Sequence, residues 1–339
     1  MLSRSNRTAR LLIALAAAGT LVVGCTETDG SGAGAVTTTV AGAPTAVGSS
    51  TTTPESGSAS TSAPTTGATG AGQGVDLTHL PVGDGRASTA PERGYVWSCQ
   101  TRFNGGGAST KGPWFNGDGT WDATKKQTVD GEVDWPSSFK MSVSGDKRQF
   151  TGNDLPEHTT GVFPVSRDDD VYLYDRNPNS ISAQVIGFQV PAEPQVASQP
   201  SCVGGEVGIM LSGAMLFDAF DAGGRDAVAW EAQDHCSGHP QERGAYHYHN
   251  ISECVNGVHD VDGNGHSVLL GYAFDGFGIY GHHDVGGKVV TNADLDECHG
   301  HTGPVEWEGR IVEMYHYHAT FEVPYTVGCV RGTPARVHT

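Results

Sequence analysis

Basic side chains are scarce in this chain. Its 339 residues hold 20 Lys plus Arg against 38 Asp plus Glu, for a formal net charge of −18. Nucleic-acid binding needs Lys and Arg at phosphates, and a peripheral contact with anionic lipid needs them as well, so the charge argues against both. There is no C-x-x-C, which argues against a thiolate zinc site. There is no G-x-S-x-G, P-loop or H-E-x-x-H, and no G-x-G-x-x-G between a strand and a helix. These absences remove the sequence warrant for hydrolase-elbow, phosphate-cradling, zincin and dinucleotide chemistry. The one long apolar run, "LLIALAAAGTLVVG" (residues 11–24), falls short of the roughly 20 residues of a membrane span.

That run has another use. Arg4, Arg7 and Arg10 precede it and Cys25 follows it, the layout of an export signal. Val22-Val23-Gly24-Cys25 resembles a bacterial lipobox, which implies cleavage before Cys25, lipidation of its thiol and attachment to a membrane by acyl chains. Ordinary secretion is the alternative. Residues 25–74 then read as a Ser/Thr/Gly/Ala-rich tether, because a segment so poor in large apolar side chains cannot offset its ordering entropy. As a coil it would average roughly 40 Å end to end. Residues 75–339 are left for one large domain or two small ones.

Beyond Cys25, six cysteines remain: Cys99, Cys202, Cys236, Cys254, Cys298 and Cys329. An even number in an exported chain reads as three disulfides, with 15 possible pairings that sequence does not separate. Short β-branched or alternating stretches, such as "AQVIGFQV", "SVLLGYAF" and "GRIVEMYHYHATFEV", are split by turn signals such as "NGDG" and "DVDGNG". With 48 glycines, this predicts a mainly β domain with short helices at "GRDAVAWEAQ" and "TNADLDEC".

The domain is written twice. "LSGAMLF" (211–217) aligns with "FDGFGIY" (274–280), "DHCSGHP" (234–240) with "DECHGHT" (296–302), and "YHYH" at 246–249 with "YHYH" at 315–318. The three blocks keep their order, which predicts two half-repeats, about 205–255 and 268–320, related by a pseudo-two-fold and sharing one core.

On a strand, residues i and i+2 share a face. His247 and His249 therefore point one way, His316 and His318 likewise, and the tyrosines point to the other face. Such an H-x-H strand grips a metal, and imidazole suits Zn, Cu, Fe and Ni. His239 and His301, each ending a D-x-C-x-G-H block, complete six registered candidate ligands. Asp234 and Asp296 are candidate ligands, partners of a ligand N–H, or caps. Either each half builds its own site from three histidines or both strand pairs build one shared site. Met314 and Val312 share the His316 face, and core packing accounts for them better than ligation. His235, His282, His283 and His299 do not recur between the halves and rank below the six.

Asp275, between apolar residues in "FDGFGIY", is a candidate general base beside a metal or else a turn residue bonded to its own backbone. "DVDGNGH" (260–266) lacks the glutamate a calcium loop needs at its twelfth position, Gly271, and reads as a hairpin turn.

"GPWFNGDGTWD", "LLGYAFDGFGIYG", "LDECHGHT", "YHYHAT" and "PYTVGCVRG" together resemble the YHYH-domain proteins, exported bacterial proteins named for the tetrapeptide, over roughly residues 95–333. The resemblance implies an extracytoplasmic protein and lends no catalytic residues. "GHHD" at 281–284 departs from the expected Pro or aromatic after the glycine. The sequence thus leads to a lipid-anchored, disulfide-stabilised β domain that binds a transition metal, zinc or copper. A metal-dependent hydrolase or oxidoreductase is the alternative, and a surface-binding module with a structural His/Tyr network is the third.

Overall fold

The computed structural model describes residues 74–335, apart from Thr101 and Ser109. The described residues lie within one unit, residues 65–339. The signal segment, Cys25 and most of the tether fall outside them. Two layers of sheet organise the chain. The smaller has three antiparallel strands: β1 (Phe139–Ser144), β2 (Lys147–Gly152) and β3 (Ile186–Pro191). The larger has eight: β4 (Glu206–Met210), β5 (Met215–Phe217), β6 (Gly238–Pro240), β7 (Tyr246–Tyr248), β8 (Leu269–Ala273), β9 (Gly278–Tyr280), β10 (Gly300–Trp307) and β11 (Arg310–His318). Its spatial order is β6-β7-β5-β4-β8-β9-β11-β10.

The mainly β expectation holds. β5 runs parallel to β7 and β9 parallel to β11, while every other neighbouring pair is antiparallel. Tight hairpins at "LSGAM" and "FDGFG" join β4 to β5 and β8 to β9. In the second of these Gly276 takes φ 92°, and a Cβ there would lie 2.6 Å from the Pro191 carbonyl oxygen. Only glycine is compatible with both demands.

Period-two alternation divides the large sheet into two faces. One face carries Val207, Met210, Leu216, Ile279, Phe277 and the four YHYH tyrosines, and it packs on the main core with Trp114, Trp121 and Val96. On the other face, Ile209, Met215 and Tyr272 pack against Phe150, Ile186, Phe188 and Val190 of the three-stranded layer. The Phe150 ring lies 5.0 Å from that of Phe188 and 5.4 Å from that of Tyr272. Arg148 closes this interface. It is buried, its guanidinium stands 4.6 Å from the Tyr272 ring, and it pairs with Glu308 at 2.7 Å.

The helical expectations shrink. Of "GRDAVAWEAQ" only α1 (Ala227–Trp230) is helical, capped by Asp226, whose carboxylate accepts from Ala229 N. Asp221 holds the preceding turn by accepting from Gly223 N and Arg225 N, and Glu231 turns to extended backbone directly after α1. "TNADLDEC" forms a single 3₁₀ turn over Asn292–Asp294, with Thr291 N and Oγ1 donating to Asp294.

The six cysteines pair at disulfide distance as Cys99–Cys202, Cys236–Cys254 and Cys298–Cys329. Three such pairs fit an oxidising compartment. Among the described residues no helix is long and apolar enough to cross a membrane.

Candidate metal centres

Strand register assembles the histidines. His239 on β6 sits opposite His247 on β7, and His301 on β10 sits opposite His316 on β11. His249 and His318 follow two residues later on the same face. His239, His247 and His249 come together with one ring nitrogen each within 4.8 Å of the others, and His301, His316 and His318 do the same in a second group. Five strand spacings of about 4.8 Å put the groups roughly 24 Å apart along the sheet. The six ligands expected from sequence therefore form two separate clusters, one per half, and no shared one.

Sequence reasoning missed a carboxylate beside the first cluster and a fourth histidine in the second. The carboxylate is Glu231, delivered by the extended backbone after α1. Its Oε2 lies 3.4 Å from His239 Nε2 and 3.6 Å from His249 Nε2. The histidine is His266, whose Nε2 is 3.1 Å from His316 Nε2. His266 ends the "DVDGNGH" hairpin, where Asp262 accepts from Asn264 N and His266 N. The hairpin expected there is real, and it presents a ligand. Neither residue recurs between the halves, so the repeat did not mark them. The sole signal was polar character beside the repeat blocks.

Backbone carbonyls fix the tautomers. His247 Nδ1 lies 3.2 Å from Ala245 O, and His249 Nδ1 meets Asp218 O. His266, His316 and His318 direct Nδ1 at Ser267 O, Met314 O and Gly281 O, at 2.7, 3.1 and 2.8 Å. A carbonyl only accepts, so each Nδ1 carries the proton and each Nε2 presents a lone pair. Those lone pairs converge. His247 and His249 Nε2 are 3.1 Å apart, and His316 Nε2 stands 3.1 Å from His301 and 3.2 Å from His318. Two lone pairs at that distance repel unless a cation lies between them.

A proton is a poor choice for that cation. Burial depresses His249 to about 4 and His316 to about 3, and it pulls His239, His247 and His318 well below the ordinary value. His239 is 3% exposed, and neither of its ring nitrogens has a hydrogen-bond partner among the described residues. Burial and the neighbouring Asp175 and Asp221 carboxylates raise Glu231 well above a normal glutamate. Both clusters could hold a metal ion.

The tyrosine face is a separate network. Tyr246 donates to Asp234 and Tyr315 to Asp296, each at 3.0 Å. The two aspartates also accept from the loop amides: Asp234 from Cys236 N and Gly238 N, Asp296 from Cys298 N and Gly300 N. Of the three roles open to them in sequence, they serve as caps that shape the D-x-C-x-G-H loops. Tyr248 bonds Ser212 at 2.9 Å and also meets His158 Nε2. Tyr317 donates to Asp275 at 2.7 Å.

Asp275 thus lies on the tyrosine side. Its other bonds come from Phe277 N and Gly332 N, and its pKa is raised by burial. Ser212 and Asp275 occupy matching places, each bonded to the second tyrosine of its YHYH. No histidine of either cluster is bonded to Asp275 among the described residues, and its geometry is that of a turn and tyrosine anchor.

Other candidates also find places. His299 bonds Thr320 Oγ1 at 3.0 Å, His282 stacks on Phe321 at 4.0 Å, His283 pairs with Val289, and His235 is exposed. Met314 and Val312 pack with the Trp307 cluster. His158 approaches Cys236 and Cys254, but those sulfurs are joined to each other.

Residues 187–288 match the family model described as YHYH protein. The match spans the first YHYH, the first cluster and His266, and it ends before the second YHYH. No curated protein and no solved structure shows significant similarity to the chain. The similarity to the YHYH family therefore lies in residues 187–288.

Proposed function

We propose that the chain is an exported metal-binding protein that holds two transition-metal ions, one in each histidine cluster. The observation that carries this is the convergence of Nε2 lone pairs whose Nδ1 protons are committed to backbone carbonyls. His239, His247 and His249, with Glu231 beside them, form centre one. His266, His301, His316 and His318 form centre two. Zinc and copper suit an imidazole-rich donor set in an oxidising compartment.

The sheet order supports a pseudo-two-fold relation between the halves. Each half contributes a hairpin (β4-β5 or β8-β9), then a loop, then a second pair (β6-β7 or β10-β11), and the halves meet at the antiparallel β4/β8 pair. The lipobox-like end at Cys25 supports lipid attachment and a place outside the cytoplasm. Asp275 takes no part in metal chemistry in this proposal.

Elemental analysis of the purified chain, free of a His tag, tests it. Two equivalents of zinc or copper are expected. A His247→Ala/His249→Ala double variant and a His316→Ala/His318→Ala double variant should each lose one equivalent and keep the other. Absence of stoichiometric metal after reconstitution would sink the proposal.

A further inference from the structure

The two centres differ in what lies above them. Centre two brings four imidazole nitrogens together, enough to fill a tetrahedral shell. Centre one brings three, and its His239, His247, His249 and Glu231 form part of the wall of a cleft of about 520 Å³. That volume lies in the range of small-molecule sites. Phe103, Phe217 and Phe220 supply apolar wall, and the Phe217 ring stacks on His247 at 4.0 Å.

Neutral amides such as Asn104, Asn177 and Gln241 also line the cleft, and its charged side chains have one sign. Asp175, Glu206, Asp218, Asp221 and Glu242 line the cleft, with no lysine or arginine among its lining residues. Arg225 lies near but is committed to Asp221 at 2.8 Å. Lys126 does not line the cleft; its ammonium, bonded to Val228 O and Gln233 Oε1, lies behind the wall and offsets part of the Asp175 and Glu231 charge. A second observation singles out the floor. His239, nearly fully buried, has two ring nitrogens with no hydrogen-bond partner among the described residues.

Resting on the two-metal reading, we infer that centre one keeps a coordination position open toward this cleft, and that the cleft admits small uncharged or cationic nitrogen and oxygen donors while rejecting anions. The ligand group of centre one holds three imidazoles; Glu231 stands beside it, 3.4–3.6 Å from two of them and outside that group, which leaves a fourth position for an exchangeable ligand. The acidic walls select it: an anion entering the cleft meets repulsion from several carboxylates in a partly water-excluded space. Centre two, with four histidines, binds no added ligand.

Cobalt(II) substitution of the full chain provides the test, with imidazole as the uncharged probe and azide as the anionic one. Imidazole should shift the visible bands of the His316→Ala/His318→Ala variant, which retains centre one. It should leave those of the His247→Ala/His249→Ala variant unchanged. In the unsubstituted chain the shift should involve half of the bound cobalt, a readout that does not depend on either variant folding.

Azide should bind at least about tenfold more weakly than imidazole at low salt, a difference of roughly 1.4 kcal/mol. The gap should narrow in about 0.5 M sodium perchlorate, where screening shortens to a few ångströms. Cobalt bands that ignore imidazole, or that respond only when centre two is the one present, would overturn the open position. Azide binding as tightly as imidazole at low salt would overturn the selectivity. Absence of cobalt bands altogether would overturn the metal reading itself and this inference with it.

Discussion

The carbonyl behind each of five histidines decides which ring nitrogen faces its neighbours. Ala245, Asp218, Ser267, Met314 and Gly281 each take an Nδ1 proton and so aim a lone pair inward. This arrangement raises metal affinity by fixing both tautomer and ring orientation. His266 is expected to matter as much as the repeated residues. His266→Ala should weaken metal binding at centre two by tenfold or more and leave centre one unchanged, read by competition with a chromogenic chelator.

Asp154 shows a different residue-scale effect. Its Oδ1 accepts from Met215 N at 2.9 Å, its Oδ2 is buried without a partner among the described residues, and burial raises its pKa to about 8. A raised carboxylate means that the folded state holds a proton the unfolded chain has lost. Stability from this group is therefore full below pH 3.8 and falls as pH rises toward about 8. Asp154→Asn keeps the acceptor and removes the charge. It should raise stability at pH 8 by roughly 1–3 kcal/mol and flatten that stretch of the pH–stability curve, measured by urea unfolding.

At the scale of elements, the D-x-C-x-G-H loops position one ligand per half. Asp234 ties the loop amides and Tyr246 together, while Cys236–Cys254 anchors the loop across 18 residues. Removing that disulfide as Cys236→Ala/Cys254→Ala should cost about 2–4 kcal/mol in denaturant unfolding. It should also weaken centre one, through displacement of His239, more than centre two. Equal weakening of both would show that the loop does not set His239.

The duplicated blocks made these loops legible in sequence, and period-two parity correctly separated His from Tyr along β7 and β11. Glu231 and His266 were not legible. Glu231 lies between aligned blocks and His266 between the half-repeats, and their approach depends on how α1 ends and how the "DVDGNG" hairpin folds back. Those are matters of backbone direction and tertiary contact, which local pattern does not encode.

For the whole molecule, the central question is how two buried polar clusters survive in a β core. The three-stranded layer covers the middle of the histidine face, where Phe150 and Phe188 pack with Tyr272 of the large sheet, and leaves the clusters to its flanks. In the metal-free chain the buried histidines should make the fold acid-sensitive. His316 and His299, depressed to about 3, and His249, depressed to about 4, are neutral when folded and charged when unfolded below about 6.5. Their contribution is intact above that pH and is lost as pH falls through the window. Bound metal opposes the loss. Removing it with a chelator should lower the unfolding temperature at neutral pH by the equivalent of about 4 kcal/mol per ion held at a thousandfold excess over Kd. It should also move the acid transition to higher pH. Calorimetry with and without the chelator measures both.

Sequence by itself determined the β character, the six-cysteine framework and the parity that gathers histidines on one face. All of these follow from composition and from periods of two, which are local. Tertiary structure alone decided that the histidines form two clusters instead of one, that Glu231 stands beside the first and His266 joins the second, and that Asp275 belongs to the tyrosines. The physical reason is strand order. β7 and β11 are kept apart by β5, β4, β8 and β9, an arrangement fixed by which hydrophobic faces pack and which strands pair, not by the tetrapeptide each of them carries.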